Sequence, residues 1–398
     1  MPQRVFLHVG SPKTGTSFLQ HVLWSGRHLA LEQGLLLPGD ALGHYLACLD
    51  VRGEHAAGAR IPGAWRALVD EAMNWGGDVL ISHELFAPAS QEQARRAIAD
   101  LGARREVHVI VTARDLARQI PAHWQENVKG MVRQVDDHRA TSTDTRTDQP
   151  FSEFMDGLRA DRSGTNWFWS VQDFAGVLDR WGGGLPREHV HVVTLPPRGT
   201  PPAVLWERFA GLLELDPSSF DTRSARKNDS LGAEQVELLR RMNAVLGDRL
   251  AHHGPYSRMV KGYFANQVLA GQQGSRLALT GADHAFAVRK SEAMVKRLRT
   301  AGVDVVGDLA ELVPSAEDAG GTPARDRPED GRVLDSSVDA LITILDRVHH
   351  ENQQHRDTVA DLRRELRRAR RSKAALGAGA RTRRRGRWPV PLRRGMLT

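Results

Sequence analysis

With 398 residues, 40% hydrophobic and 26% charged, the chain is long enough for one large α/β domain or two smaller ones. Its single cysteine, Cys48, excludes an intramolecular disulfide and argues against a cysteine-based metal site. The formal charge of +7 is unevenly placed: residues 361–398 carry 13 arginines and one lysine against Asp361 and Glu365, a net +12, so residues 1–360 stand at −5 and give no reason to expect nucleic acid on the main body.

Residues 4–9, RVFLHV, have the β-branched and apolar weighting of a buried strand. The stretch GSPKTGTS at 10–17 breaks it with two glycines and a proline, and Phe18, Leu19, Val22 and Leu23 resume at helical spacing. Strand, glycine loop and helix make an anion cradle. Glycines let backbone N–H groups turn inward, the helix N-terminus presents its positive dipole end, and Lys13, Thr14, Thr16 and Ser17 add a charge and hydroxyl donors.

Further along, 34–38 reads as a short strand ending at Pro38, 39–62 shows no clear period, and 64–73 is a helix with Trp65, Leu68, Val69 and Ala72 on one face. Strands are expected at 78–82, 106–112 and 189–195, with helices at 91–101, from 119 to 129, at 151–158, 169–181, 205–213, 231–250 capped by Ser230, and 291–301. A closing segment follows at 303–312. The polar run 136–150 is expected as an exposed loop. Strands alternating with helices imply a doubly wound, mostly parallel α/β sheet flanked by helices, of the P-loop NTPase-like kind.

After this domain of residues 1–313, residues 314–332 lack large apolar side chains and read as a linker. Residues 333–371 then place Val338, Leu341, Leu345, Val348, Val359, Leu362, Leu366 and Ala369 in a three-four alternation interrupted by Asn352 and His355, the pattern of a C-terminal helix or coiled coil that would form a homodimer. Residues 372–398 are expected to be a disordered basic tail whose arginines could touch nucleic acid or an anionic membrane, a solvated tail being preferred. No apolar run approaches membrane-helix length and a strand begins by residue 4, so the expected location is cytoplasmic.

The loop is not GxxxxGK[ST]: Lys13 lies two residues before Gly15 and no lysine follows it. The order PKTGTS resembles the 5′-phosphosulfate loop of the sulfotransferases that use 3′-phosphoadenosine-5′-phosphosulfate (PAPS), commonly PK[ST]GTT followed by a helix. The resemblance implies a P-loop-like fold, PAPS as co-substrate, no metal cofactor, and transfer of a sulfuryl group to the hydroxyl or amine of a small-molecule or glycan acceptor. Lys13 would stabilise the leaving phosphate, while Ser11, Thr14, Gly15, Thr16 and Ser17 hold the 5′-phosphate. The general base would be Glu84, with His83 the second choice. Arg114 would bind the 3′-phosphate. The family's serine eight residues after that arginine is Ala122 here, with Arg118, His123 or Lys129 as replacements, and Arg226 and Lys227 match the family's closing basic loop, Arg258 and Lys261 being the runners-up. Trp124, Trp167, Phe168 and Trp169 are candidates for adenine stacking. A phosphotransferase, or a non-catalytic nucleotide-binding scaffold acting through its coiled coil and basic tail, are the alternatives. No metal-ligand spacing is evident among the 17 histidines.

Overall fold

Strand β1 (Arg4–Gly10) is apolar on both faces and takes the centre of a six-stranded sheet, where helices cover each side. The computed structural model describes residues 3–385 apart from 57–58, 131–145, 162–165, 224–229, 248, 251 and 325–326. In chain order, β1 is followed by α1 (Thr16–Ser25), α2 (Arg27–Glu32), β2 (Leu35–Leu36), α3 (Ala41–Arg52), the hairpin β3 (His55–Ala56) and β4 (Ala59–Arg60), α4 (Ala64–Asn74), β5 (Asp78–Ser82), α5 (Gln91–Gly102) and β6 (Glu106–Ala113). Then come α6 (Leu116–Val128), α7 (Phe151–Ala160), α8 (Trp167–Gln172), α9 (Phe174–Gly182), β7 (Val190–Thr194), α10 (Pro202–Leu212), α11 (Ala233–Leu246) and a wide helix of the π type (His252–Leu269). The remainder is β8 (Leu277–Ala278), α12 (Gly281–Ala301), β9 (Asp304–Val306), β10 (Thr322–Pro323) and α13 (Asp330–Arg385).

The sheet order is β2-β5-β1-β6-β7-β9 and every pairing is parallel. This is a P-loop-like α/β arrangement. The chain steps outward from β1 to β2 and β5, then crosses back to β6, so the order reverses at β1. Loops at such a reversal form the crevice in which open parallel sheets bind ligands. On one face, Leu19, Val22 and Leu23 of α1 pack with Phe6, Leu80, Ile110, Val193 and the α10 residues Leu205, Trp206 and Phe209. On the other, α5 and α9 cover β6.

Several boundaries differ from expectation for local reasons. The helix expected over 169–181 is two helices, because Asp173 accepts a hydrogen bond from Gly176 N at 2.9 Å and caps a new start. Ser230 is not a cap: α11 begins after Gly232, and the extended lead-in is tied to α6 by Gln125 Nε2 donating to Leu231 O at 3.0 Å. Helix α12 starts at Gly281, ten residues before the expected point, its polar first half concealing it. The unread stretch 39–62 holds α3 and the hairpin.

Residues 314–332 are not a bare linker. Thr322 N donates to Arg276 O at 2.8 Å and Ala324 N to Ala278 O at 2.9 Å, so β10 pairs with β8 through backbone alone, which needs no large side chain. Much of the expected exposed loop 136–150 lies outside the described residues. The chain divides into two compact units at Ser337 and Val338. In the second, helix continues to Arg385, past the point at 372 where disorder was expected, over a stretch rich in the strong helix formers Ala, Leu and Arg. Residues 386–398 lie outside the description. Its heptad residues Val338, Leu341, Leu345, Val348, Val359, Leu362 and Leu366 are all exposed. No helix among the described residues is long and apolar enough to cross a membrane.

Candidate functional site

The loop after β1 is shaped by two glycines that no other residue could replace without strain. Gly10 (φ 114°) lies so close to the β5 end that a Cβ would sit 3.0 Å from Glu84 O, and Gly15 (φ 83°), the residue before α1, would place one 2.5 Å from Leu205 Cδ2. Between them Lys13 is itself left-handed, at φ 67°. The carbonyls of Ser11, Pro12 and Lys13 are each tied up by a side chain. Ser11 O accepts from Thr14 Oγ1 at 2.5 Å, Pro12 O from Gln172 Nε2 at 3.0 Å and from Gln119 Nε2, and Lys13 O from Arg114 Nη1 at 3.1 Å. The N–H groups of residues 13–17 meet no acceptor among the described residues. Carbonyls tied back and N–H groups free at a helix N-terminus is the polarity of an anion nest.

Beneath the loop, three strands contribute a polar floor. His8 bonds Ser82 Oγ at 2.8 Å and Thr112 Oγ1 at 3.2 Å, and Thr112 Oγ1 meets Thr14 Oγ1 at 2.6 Å and donates to Gly10 O at 3.2 Å. Burial holds the His8 imidazole down to about 4, so it is neutral. The Thr14 hydroxyl is thus occupied by Ser11 O in the loop and by the Thr112 hydroxyl on the floor. Thr16 is buried, Ser17 is exposed on α1, and Ser11 Oγ is buried without a partner among the described residues.

The Lys13 ammonium reaches α6, where its Nζ lies 2.7 Å from Glu126 Oε1. Two more cations approach the same carboxylate: Lys129 Nζ at 3.5 Å and Lys261 Nζ, from the wide helix, at 3.8 Å. Burial alone would raise the Glu126 carboxyl, but Lys13, Lys129 and Lys261 outweigh it and hold the group down to about 2. Three cations thus share one anion. His123, one turn before Glu126, is buried beside Phe154 and Phe168 and held neutral, its pKa pushed to about 3 by burial and by Lys13.

Arg114 follows β6 and donates to the carbonyls of Lys13 and Arg118. Its Nε has no acceptor among the described residues. Burial, with Arg118 and Arg198 nearby, outweighs the opposing pull of Asp115 and Asp318 and lowers its pKa to about 9. Arg118, by contrast, is satisfied by Asp115 and by Pro196 O at 2.9 Å. Ala122 sits between these groups and Lys13's partner on α6.

At the end of β5, His83 and Glu84 have different tasks. His83 Nδ1 accepts from Leu85 N at 3.2 Å, which assigns the remaining ring proton to Nε2 and leaves that nitrogen without a lone pair. Burial also pulls His83 below its ordinary range. The Glu84 carboxylate is free to accept, held toward α1 by Gln20 Nε2 at 3.1 Å. A cavity of about 330 Å³ opens beside them, lined by Ser17, Gln20, His21, Trp24, Ser82 and His83 among others.

The fold thus brings Lys13, Gly15, Ser17, Glu84, His83 and Arg114 to the carboxyl edge of the sheet, with Lys129 and Lys261 joining through Glu126. Arg226 and Lys227 lie outside the described residues. Trp124, Phe168 and Trp169 are core residues, and Trp124 Nε1 donates to Gln149 O at 2.9 Å; Trp167 stacks under Arg52 instead. Sequence reasoning missed Glu126, Gln119 and Gln172, whose roles depend on α6 and α8 packing against a loop more than 100 residues away. No local signal marks them.

No family model and no curated protein matches the chain. Among solved structures it is similar to the sulfotransferase from Alicyclobacillus acidocaldarius at 17% identity and a TM-score of 0.35, over 65% of this chain and 96% of that one. A likeness so distant says nothing of substrate or reaction.

Proposed function

We propose that the chain is a sulfotransferase that moves a sulfuryl group from PAPS to a hydroxyl or amine. The observation that carries this reading is the loop's polarity: residues 13–17 offer N–H groups unpartnered among the described residues while the carbonyls of residues 11–13 are tied back, and three lysines crowd a single carboxylate beside them. The site is built for more negative charge than the chain itself supplies. The PKTGTS order, with lysine before the glycine, selects a phosphosulfate over a nucleoside triphosphate.

In this reaction the acceptor oxygen or nitrogen forms a bond to sulfur as the bond from sulfur to the bridging phosphate oxygen breaks. The acceptor's proton passes to a base, and 3′-phosphoadenosine-5′-phosphate departs. Lys13 faces the charge that grows on the bridging oxygen, an interaction stronger in the transition state than before it. Glu84 takes the proton, since the lone pair of His83 is already committed to Leu85 N. Arg114, whose buried Nε meets no acceptor among the described residues, takes the 3′-phosphate, and Lys129 and Lys261 substitute for the hydroxyl that Ala122 lacks. Glu126 acts as a resident anion that keeps Lys13 and its neighbours neutralised until a nucleotide replaces it. The cavity lined by Ser17 and His83 would receive the acceptor.

The exposed heptad stripe of the second unit fits a second copy of the same helix, giving a homodimer. Labelled sulfate appearing on a hydroxyl or amine acceptor when the protein is incubated with PAPS tests the reading. Transfer of phosphate from ATP in the presence of Mg²⁺, with none from PAPS, would favour the phosphotransferase. A cellular role untouched by Lys13→Ala and Glu84→Ala would favour a scaffold.

A further inference from the structure

At the amino edge of the same sheet, far along β6 and β7 from the loop, a second polar group is assembled from residues with no part in the reading above. Glu106 opens β6 and His108 follows on the same face, two residues on. His189 ends the turn before β7, and His191 follows at the same spacing. Asp304, at the start of β9, is paired with His191 in register. Four contacts run through them. Asp304 Oδ2 lies 2.7 Å from His191 Nδ1, His191 Nε2 lies 2.9 Å from His108 Nδ1, His108 Nε2 lies 2.9 Å from Glu106 Oε1, and His189 Nε2 lies 3.3 Å from that same oxygen.

The proton count of this chain does not close. Between two carboxylates stand two imidazoles, His191 and His108, joined by three contacts, each of which needs one hydrogen. Two neutral rings supply only two. If Asp304 accepts from His191 Nδ1–H, then His191 Nε2 accepts from His108 Nδ1–H, and the lone pair of His108 Nε2 faces the carboxylate oxygen of Glu106. A cation bound in the gap would close the count, and both rings lie in the interior, at 8% and 5% exposure.

The donor atoms of Glu106, His108 and His189 all lie within 4.8 Å of one another, a spacing that contracts readily to the separation of roughly 3.4 Å set by ligand bonds of about 2.0–2.1 Å in a tetrahedron. We propose that Glu106 Oε1, His108 Nε2 and His189 Nε2 bind a zinc-like divalent transition-metal ion. Two imidazoles and one carboxylate suit zinc, cobalt or nickel, and disfavour magnesium and calcium, which prefer oxygen. The partly exposed Glu106 side chain leaves a fourth position open to water. His191 and Asp304 then form the supporting shell: His108 donates Nδ1–H to His191, and His191 donates Nδ1–H to Asp304, which fixes the tautomer that ligation needs.

Full-length protein stripped with chelator and titrated with Zn²⁺ by calorimetry should bind one equivalent at this site, and Co²⁺ should give the visible absorption of a tetrahedral complex. His189→Ala, a change in a partly exposed turn that the fold tolerates, should weaken Zn²⁺ binding at least 100-fold with an unchanged circular dichroism spectrum, and His191→Gln should weaken it about 10- to 100-fold. Absence of stoichiometric Zn²⁺ binding would overturn the proposal. So would binding that His189→Ala leaves intact, which would place the ion elsewhere among the histidines.

Discussion

The two edges of the central sheet present opposite deficits. At the carboxyl edge, Lys13, Lys129 and Lys261 share the one carboxylate of Glu126, and the buried Arg114 Nε meets no acceptor among the described residues. At the amino edge, two carboxylates and three imidazoles face one another one hydrogen short. The same parallel strands produce both, because every strand points the same way and each edge gathers one kind of strand end. The contrast teaches that charge imbalance, rather than cavity size, distinguishes the two edges, and it is the basis for proposing an anion at one and a cation at the other.

Removing the proposed base should have the largest effect on the carboxyl edge. Glu84→Gln is expected to lower kcat by about 10²–10⁴-fold with nucleotide affinity unchanged, whereas His83→Gln should cost far less. An equal loss from both, measured by sulfate transfer, would break the assignment of roles. Lys13→Ala should reduce kcat by about 10²–10³-fold, as loss of one group aimed at the developing charge does.

Glu126→Gln sharpens the comparison, since it removes the resident anion. Glu126 titrates near 2 in the fold against an ordinary 4.5, so its contribution, about 3 kcal/mol at 1.36 kcal/mol per unit, is present above pH 4.5 and is lost as pH falls toward 2. The variant should be less stable at neutral pH by denaturant unfolding, and 3′-phosphoadenosine-5′-phosphate should raise its melting temperature more than it raises that of the wild type. A smaller rise would mean that Glu126 positions Lys13 rather than standing in for a ligand.

A separate acid sensitivity, beginning at higher pH, comes from His8 and His44, held near 4, and His123, near 3, in each case chiefly by burial. All three are neutral in the fold and take up protons on unfolding below 6.5. Stability should therefore hold above pH 6.5 and decline as pH falls from 6.5 toward 4, by urea denaturation across that range. The smallest effect expected is none at all: chelator treatment, which strips the amino edge, should leave nucleotide affinity at the carboxyl edge unchanged, because sites this separate couple weakly.

Much of the carboxyl edge was legible in the sequence because its geometry is local. Gly10 and Gly15 are glycines where positive φ and close approach demand them, and Lys13, Glu84 and Arg114 each follow a strand whose apolar weighting announces it. What was hidden depends on contacts distant in sequence. Glu126 reads as an ordinary helical acid until α6 swings it under the loop. The amino edge was hidden differently: Glu106 and His108, like His189 and His191, recur at the period of a strand, yet the two pairs meet only because β6 and β7 are neighbours. The segment 314–332 misled because a strand pair made by backbone alone leaves no apolar signature.

Whether the loop takes a phosphosulfate donor is tested by the melting temperature of the full chain with 3′-phosphoadenosine-5′-phosphate. The account predicts a rise that grows with ligand concentration and is abolished in Lys13→Ala and Arg114→Ala; at 100 times Kd the stabilisation is about 2.7 kcal/mol. No shift at millimolar ligand, or a shift that both variants retain, would contradict it.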